Sequence, residues 1–238
     1  MIALITPTGA RPKQIKLAAE WMKRQTYKGE VLWVLVDDAV PITTDFIPDN
    51  FRDGWTIVRC YPRPKWEQGQ NTQKRNLLVA INEVTKYEVD SIFIIEDDDY
   101  YFPEYLEKMV MQLKGYYAAG QVRSVYFNTI TGRIKRHSNT QHSSLFQTAI
   151  HKDALPLFTD VLLSESDKFV DIALWGKLKS FKTHLFNTID LSIGIKGLPG
   201  RGGIGIGHIV KGVALSEKLR KTALKDLIGV DDMLKYFQ

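Results

Sequence analysis

Hydrophobic and polar residues alternate along the chain in a pattern typical of strands separated by helices. Apolar runs at 1–6, 30–36 and 91–95 have the length of buried strands, and each ends in a polar turn. Between them, residues 13–24 and 71–84 carry apolar side chains at helical spacing. This alternation predicts an α/β protein with a mixed, mostly parallel sheet flanked by helices.

The rest of the chain is less regular, but the hydrophobic content of the whole sequence, 44%, is sufficient for one continuous core. We therefore expect residues 1–238 to form a single domain. Glycines recur over 197–207, where a regular element would be destabilised. The remaining predicted elements are strands at 55–61, 122–130 and 144–150, helices at 105–113, 168–178 and 216–237, and a basic hairpin or loop at 133–139.

The composition limits which partners and which cellular compartment the protein can have. The formal charge of +5 and the sequence pI of about 9.1 favour association with polyanions without identifying one. Cys60 is the single cysteine, so no internal disulfide can form. No apolar stretch reaches the roughly 20 residues of a bilayer-spanning helix, and the chain opens on an apolar strand without a signal-peptide pattern. We expect a cytoplasmic protein without a membrane span, in the host cytoplasm if the source is viral.

The most informative residues are consecutive acids that directly follow a predicted buried strand. Glu96, Asp97, Asp98 and Asp99 come after the strand at 91–95, and a bound cation would relieve their mutual repulsion. Carboxylates are preferred ligands of Mg²⁺ and Mn²⁺, which often bridge them to phosphate oxygens. A helix N-terminus, where acids interact favourably with the dipole, is the structural alternative. The run predicts a Mn²⁺ or Mg²⁺ site.

Polar residues also follow the other two strong strands. Thr6, Thr8 and Arg11 lie at or after the end of the first, and Asp37 and Asp38 at the end of the second. In open α/β sheets ligands bind beyond the carboxyl ends of the strands. We therefore expect these side chains near the acidic run.

An apolar strand followed by Asp-X-Asp, here Asp97 to Asp99, resembles the metal motif of GT-A glycosyltransferases. The Thr-Pro-Thr loop at 6–8 with Arg11, the Asp pair at 37–38 and the Lys-Arg-Asn run at 74–76 occur in the order expected of that family's nucleotide-binding half. The resemblance is closest to the family-2-like branch. It covers residues 1–105 well and the remainder loosely.

The resemblance implies a GT-A fold, a nucleoside diphosphate sugar donor, in particular a UDP-sugar, and hexosyl or pentosyl transfer. Residues 1–105 would form the nucleotide-sugar-binding half, and 106–238 the acceptor-binding half with a C-terminal helix. The donor-binding residues that it implies are Thr6, Thr8, Arg11, Asp37, Asp38, Lys74, Arg75, Asp97 and Asp98. The implied metal ligands are Asp97, Asp99 and the late His208, with Asp99 the direct ligand and Asp97 nearer the ribose.

The second half would supply the acceptor site. Asp171 resembles the carboxylate that takes the proton from the attacking hydroxyl in inverting enzymes of this kind; a first-turn helix acid is the alternative. Lys196 and Arg201 would neutralise the leaving diphosphate or touch an anionic acceptor, and Arg136 would contact acceptor phosphates. The Gly-X-Gly spacing before His208 lacks the lysine and hydroxyl residue of a phosphate loop.

The acceptor stays open between a saccharide or lipid-linked glycan and a hydroxymethylated base in DNA, as in phage-type DNA glycosyltransferases. A base in duplex DNA would have to be flipped out for this chemistry. A sugar nucleotidyltransferase is a rival enzyme, but 8–12 is too short for its glycine-rich loop. A nucleic-acid-binding module with purely structural acids is the rival outside enzymes.

Overall fold

The computed structural model describes residues 1–41, 43–164, 169–187, 191–202 and 214–237. Its strands are β1 (Ile2–Thr8), β2 (Val31–Asp37), β3 (Trp55–Cys60), β4 (Ser91–Ile94), β5 (Tyr100–Tyr101), β6 (Ala118–Gln121), β7 (Arg123–Asn128), β8 (Ile134–Ser138), β9 (Thr148–His151), β10 (Thr183–Phe186) and β11 (Ser192–Lys196). Its α-helices are α1 (Pro12–Lys23), α2 (Thr43–Phe46), α3 (Gln73–Val84), α4 (Tyr105–Leu113), α5 (Leu155–Leu163), α6 (Val170–Lys177), α7 (Glu217–Ile228) and α8 (Val230–Phe237).

Within the described residues, a seven-stranded sheet has the order β10-β6-β9-β4-β1-β2-β3. β9 runs antiparallel to both of its neighbours, and the other neighbouring strands are parallel. The mixed, mostly parallel sheet expected from the sequence is therefore confirmed. Because β1 pairs in parallel with both β2 and β4, their carboxyl ends meet at one edge, where Thr8 lies opposite Asp37.

The core lies on both faces of this sheet because alternate strand residues point to opposite sides. Leu4, Trp33 and Phe93 pack in one cluster with apolar residues of α1, α4, α7 and α8. Ile5 and Val34 pack in the other with α3, α5 and α6. Burial on both faces explains why the first strands appear in the sequence as nearly continuous apolar runs.

A smaller sheet, four-stranded within the described residues, has the order β5-β11-β7-β8. β5 begins directly after Asp99, and β11 lies between β5 and β7, antiparallel to the first and parallel to the second. This arrangement brings the end of β11, with Lys196, to the acidic run after β4.

The C-terminal helices pack on the same side of the sheet as α1. The Trp21 indole donates a hydrogen bond of 3.0 Å to the Tyr236 hydroxyl, and the two rings are stacked with centroids 5.8 Å apart. Arg24 of α1 donates to Asp232 of α8 at 2.7 and 2.8 Å and to the Tyr100 hydroxyl at 2.7 Å. The C-terminal segment is thus fixed to the strand that follows the acids.

Several predicted elements differ in the structure. The helix expected at 216–237 is two helices, because Gly229 adopts φ +83° and interrupts it. The strand expected at 144–150 begins as a 3₁₀ turn at Leu145–Gln147 and becomes β9 only at Thr148. The basic segment at 133–139 forms edge strand β8. Among the described helices, none is long and apolar enough to cross a membrane.

Candidate active site

The polar residues converge on a cleft of about 700 Å³ at the carboxyl edge of the large sheet, a size typical of small-molecule sites. Four segments supply lining residues: the end of β1, the acidic run after β4, the start of α6 and the end of β11. Its polar lining includes Thr8, Arg11, Gln73, Asn76, Glu96, Asp97, Asp98, Ser144, Asp171, Lys196 and Arg201.

Asp97 is held by the last residue of β1 and by the loop that follows it. Its Oδ2 accepts a hydrogen bond of 2.6 Å from the Thr8 hydroxyl, and its Oδ1 accepts one of 2.6 Å from Arg11, which also donates to Asp98 at 3.0 Å. Burial raises the pKa of Asp97 to about 6, against the lowering effect of Arg11. Burial acts to lower the pKa of Arg11, but Asp97 and Asp98 outweigh it and leave the pKa raised. This charged pair rigidly orients the first aspartate of the Asp-X-Asp motif.

Glu96, Asp98 and Asp99 form a group that could hold a metal ion. One carboxylate oxygen of each lies within 4.8 Å of those of the other two. Asp99 is completely buried, and its Oδ2 has no hydrogen-bond partner among the described residues. An all-carboxylate set with a buried, unpartnered oxygen suits a hard divalent ion. Of the predicted ligands, Asp99 belongs to this group and Asp97 lies outside it.

Lys196 lies against the same carboxylates. Its Nζ is 2.9 Å from Asp99 Oδ1, 3.6 Å from Asp98 Oδ2 and 3.8 Å from Glu96 Oε2. The backbone N–H of Ile195 also donates to Asp99 Oδ1, at 2.9 Å. Burial acts to lower the pKa of Lys196, but the acids outweigh it and leave the pKa raised, so the side chain is an ammonium ion.

Burial raises the pKa of two acids in this group, Asp99 and Glu96. The pKa of Asp99 lies well above its ordinary value because the side chain is desolvated, although Lys196 opposes the shift. Burial also raises the pKa of Glu96; Lys196 acts against this shift, while Asp98 and Asp171 add to it. The carboxylates repel one another, and a further cation would stabilise their charged forms.

Asp38 is completely buried outside the lining of the cleft, where it contacts the lining residues Asn76 and Arg201. Gly9, with φ +150°, permits the close approach of the loop after β1, because a Cβ there would lie 2.1 Å from Asp38 Oδ1. The side chains that donate hydrogen bonds to the Asp38 carboxylate are Thr72, Arg75, Asn76 and Arg201. The structure therefore gives Asp38 an organising role, linking α3 to the segment after β11.

Asp171 lines the cleft from the first turn of α6. Its Oδ1 accepts a hydrogen bond of 3.0 Å from the Ile172 N–H. Burial raises the pKa of Asp171 above its ordinary value, against smaller lowering effects that include His142. Asp171 thus lines the same cleft as Glu96, Asp97 and Asp98.

Other predicted residues lie outside the lining of the cleft. Thr6 is buried beneath it and accepts a hydrogen bond of 3.0 Å from the Trp33 indole. Asp37 is buried, and its Oδ1 accepts from the Ala39 N–H at 3.2 Å. Lys74 donates to the Ser164 carbonyl at 2.6 Å, and Arg75 contacts the cleft indirectly, through Asp38 and the lining residue Asn76. Arg136 is exposed on β8, and His208 lies outside the described residues.

The structure adds residues that the sequence did not single out for the site. Gln73 donates to Glu96 at 3.3 Å, and Trp66 lines the cleft with the Arg201 guanidinium 4.8 Å above its ring. Tyr126 also lines the cleft, and its hydroxyl oxygen lies 2.7 Å from that of Ser144. Trp66 lies in a segment without periodicity and had no local signal. Ser144, by contrast, lies in the segment 143–148, where the resemblance to GT-A enzymes suggests donor-sugar or acceptor contacts.

No protein-family profile matches the chain, and no curated protein matches it. The fold does match solved structures of TarS from S. aureus. TarS 1–349 matches with a TM-score of 0.58 and 14% identity, over 82% of this chain and 60% of that one. TarS 1–349 in complex with UDP-GlcNAc gives 0.55 and 14%, over 95% and 71%. The complex with UDP gives 0.56 and 12%, over 95% and 70%.

The chain thus spans 60% of the first of these structures, and 43% of a longer TarS structure that it matches with a TM-score of 0.54. At 12 to 14% identity the likeness establishes the fold. Together with the order of the large sheet, it confirms the GT-A arrangement expected from the sequence.

Proposed function

We propose that this protein is a metal-dependent glycosyltransferase that moves a sugar from a UDP-sugar to a hydroxyl group. The observation that carries the proposal is the position of the group Glu96, Asp98 and Asp99 at the carboxyl edge of a GT-A sheet, where Glu96 and Asp98 line the cleft and Asp99 is buried beside them. The similar TarS structures that hold UDP-GlcNAc and UDP support a uridine nucleotide as the donor.

The charge of the cleft supports metal dependence. A nucleoside diphosphate is an anion, and the carboxylates that line the cleft would repel it without a cation between them. Glu96, Asp98 and Asp99 would hold Mn²⁺ or Mg²⁺; the ligand set predicted from the sequence, Asp97, Asp99 and His208, is the alternative. When bound, such an ion would stabilise negative charge on the departing diphosphate.

The protein's own residues would bind and orient the donor. Thr8 and Arg11 fix Asp97 at the cleft wall, in the position expected to face the ribose. Asp38 and Arg201 together shape the end of the cleft that contains the Trp66 ring, an aromatic surface suited to a nucleobase. Hydrogen bonds fix Asp97 to Thr8 and Arg11, and they fix Arg201 to Asp38, so these side chains would reorganise little when a donor binds.

Asp171 is the candidate base in an inverting transfer. The acceptor hydroxyl oxygen would attack the anomeric carbon, the bond from that carbon to the diphosphate oxygen would break, and Asp171 would take the hydroxyl proton. Its position in the cleft and its raised pKa suit this role. A retaining transfer would need no base on this face.

We favour a hydroxyl of a saccharide or lipid-linked glycan as the acceptor over a hydroxymethylated base in DNA. Of the cations considered for an anionic acceptor, Lys196 and Arg201 form ion pairs with the buried carboxylates of Asp99 and Asp38. Arg136 is exposed on β8, outside the lining of the cleft. Faster transfer from a UDP-sugar to hydroxymethylated duplex DNA than to any saccharide would reverse this assignment.

Thermal unfolding with and without nucleotides tests the donor assignment. We expect UDP with Mn²⁺ to raise the melting temperature, because a ligand at 100 times its Kd stabilises the native state by about 2.7 kcal/mol. ADP with Mn²⁺, and UDP with a chelator in place of the metal, are the matched controls and should give smaller shifts. An unchanged melting temperature with every nucleoside diphosphate would exclude the proposed donor site.

A further inference from the structure

The ammonium group of Lys196 lies where a cation would be held by the candidate metal group. The distances from its Nζ to Asp99, Asp98 and Glu96 are 2.9, 3.6 and 3.8 Å. These are the same carboxylates whose oxygens lie within 4.8 Å of one another. Lys196 is itself 6% exposed, so water screens these interactions little.

The position of Lys196 follows from the pairing of the small sheet. β11 lies beside β5, which starts immediately after Asp99, and the Ile195 N–H holds Asp99 Oδ1 at 2.9 Å. Lys196 is the next residue along β11, and its side chain therefore lies against the carboxylates of Glu96, Asp98 and Asp99. Asp99 Oδ2 lacks a hydrogen-bond partner among the described residues. One carboxylate oxygen of the group therefore stays available to a metal ion while Lys196 is in contact with Asp99.

A divalent ion in this group would lie close to the ammonium. Ions of this kind bind carboxylate oxygens at about 2.0 to 2.6 Å, which places them near a nitrogen that is itself 2.9 Å from Asp99. Like charges at such a distance in a buried site repel strongly. The negative charge of Glu96, Asp98 and Asp99 still exceeds that of one ammonium group, so a divalent ion remains attracted.

We propose that Lys196 and a divalent cation compete for Glu96, Asp98 and Asp99. Lys196 neutralises the group when no metal is bound, and metal binding displaces its ammonium from these carboxylates toward the cleft, which the residue already lines. There the displaced charge is available to the anionic diphosphate of a donor. This inference deepens the proposed function and rests on it for the role of the diphosphate, whereas the competition itself concerns the metal alone.

Titration with Mn²⁺ alone, followed by calorimetry or by the resonance of free Mn²⁺, tests the competition. Lys196→Met is expected to bind Mn²⁺ at least about tenfold more tightly than the natural chain, because the repelling ammonium is gone. The matched control is Arg201→Met, which removes one positive charge from the same cleft but contacts Asp38 instead of the metal group. Equal affinities of Lys196→Met and the natural chain, or equal gains in both variants, would overturn the inference.

A second measurement uses the natural chain and is independent of whether the variants fold. Acetylation by an amine-reactive reagent, quantified by peptide mass spectrometry, reports the accessibility of each lysine. Saturation with Mn²⁺ should increase the reaction rate of Lys196 several-fold relative to Lys16, an exposed residue of α1. An unchanged ratio at saturation would overturn the inference. Sugar transfer plays no part in either measurement, so failure of the proposed function would leave their results interpretable.

Discussion

Individual carboxylates of the cleft differ in their partners, and this difference separates their roles. Asp97 is neutralised by Arg11 and hydrogen-bonded by Thr8, an arrangement that fixes its position. Asp171 has the Ile172 N–H as its hydrogen-bond donor, and its pKa is raised by burial. The pKa of Asp97 is raised as well, to about 6, but both of its oxygens accept hydrogen bonds from Thr8 and Arg11, and this leaves Asp171 as the better proton acceptor.

The substitution Asp171→Asn tests that role at the level of one atom. Loss of a general base lowers kcat by about 10²- to 10⁴-fold, while KM for the UDP-sugar should change little because Asp171 lies outside the donor-binding residues proposed above. Initial rates over a range of donor concentrations measure both. Asp226→Asn, in an exposed position on α7, is the matched control and should behave like the natural chain.

The pH dependence of kcat tests the same assignment of Asp171 as the base. A base must be unprotonated, so kcat should rise as the pH increases through the pKa of Asp171. Because burial raises that pKa, the acidic limb should lie above the value of about 3.9 for a free aspartate. The same acidic limb in the residual activity of Asp171→Asn would show that another group is the base.

At the level of elements, the C-terminal helix stabilises the segment that carries the acids. Asp232 of α8 accepts hydrogen bonds from Arg24 and from the Tyr100 hydroxyl, all at 2.7 to 2.8 Å. Tyr100 is the residue immediately after Asp99. The contacts of α8 therefore bear on the geometry of the cleft although α8 lies outside its lining.

Asp232→Ala should destabilise the protein measurably. Removal of a charged acceptor leaves the partly buried Arg24 and Tyr100 without it, at a cost of about 2 kcal/mol in the free energy of unfolding. Urea denaturation measures the change. Asp231→Ala alters the same turn of α8 at an exposed position and should cost less than about 1 kcal/mol through the helix dipole. Equal costs would show that the Arg24 contact contributes nothing specific.

The sequence predicted the first half of the fold well because β1, β2 and β4 are buried on both faces and appear as apolar runs. It missed β6, whose Ala-Ala-Gly-Gln sequence has no β-branched residue, and α5, which follows a short 3₁₀ turn.

The convergence of Thr8, Arg11 and the acids was predictable because parallel strands share an edge. The contact of Lys196 with Asp99 was not, since it depends on pairing between β5 and β11, far apart in sequence.

For the whole molecule, net charge and local charge have opposite signs. The chain carries a formal charge of +5, whereas four acidic and three basic side chains line the cleft at the carboxyl edge of the sheet. The net charge was the reason to consider a polyanionic acceptor, whereas the cleft itself requires cations before it can accept a diphosphate. Lys196, Arg201 and the proposed metal ion supply that charge locally.

Release of UDP from UDP-sugars in the presence of Mn²⁺ tests the central claim most directly. The natural chain should release UDP from UDP-GlcNAc or another UDP-sugar, and a chelator should abolish the reaction. Asp99→Asn, which retains an acceptor oxygen for Ile195 and Lys196, should keep its fold and lose about 10²-fold or more of the activity. Full activity of Asp99→Asn, or no UDP release by the natural chain from any UDP-sugar, would contradict the account.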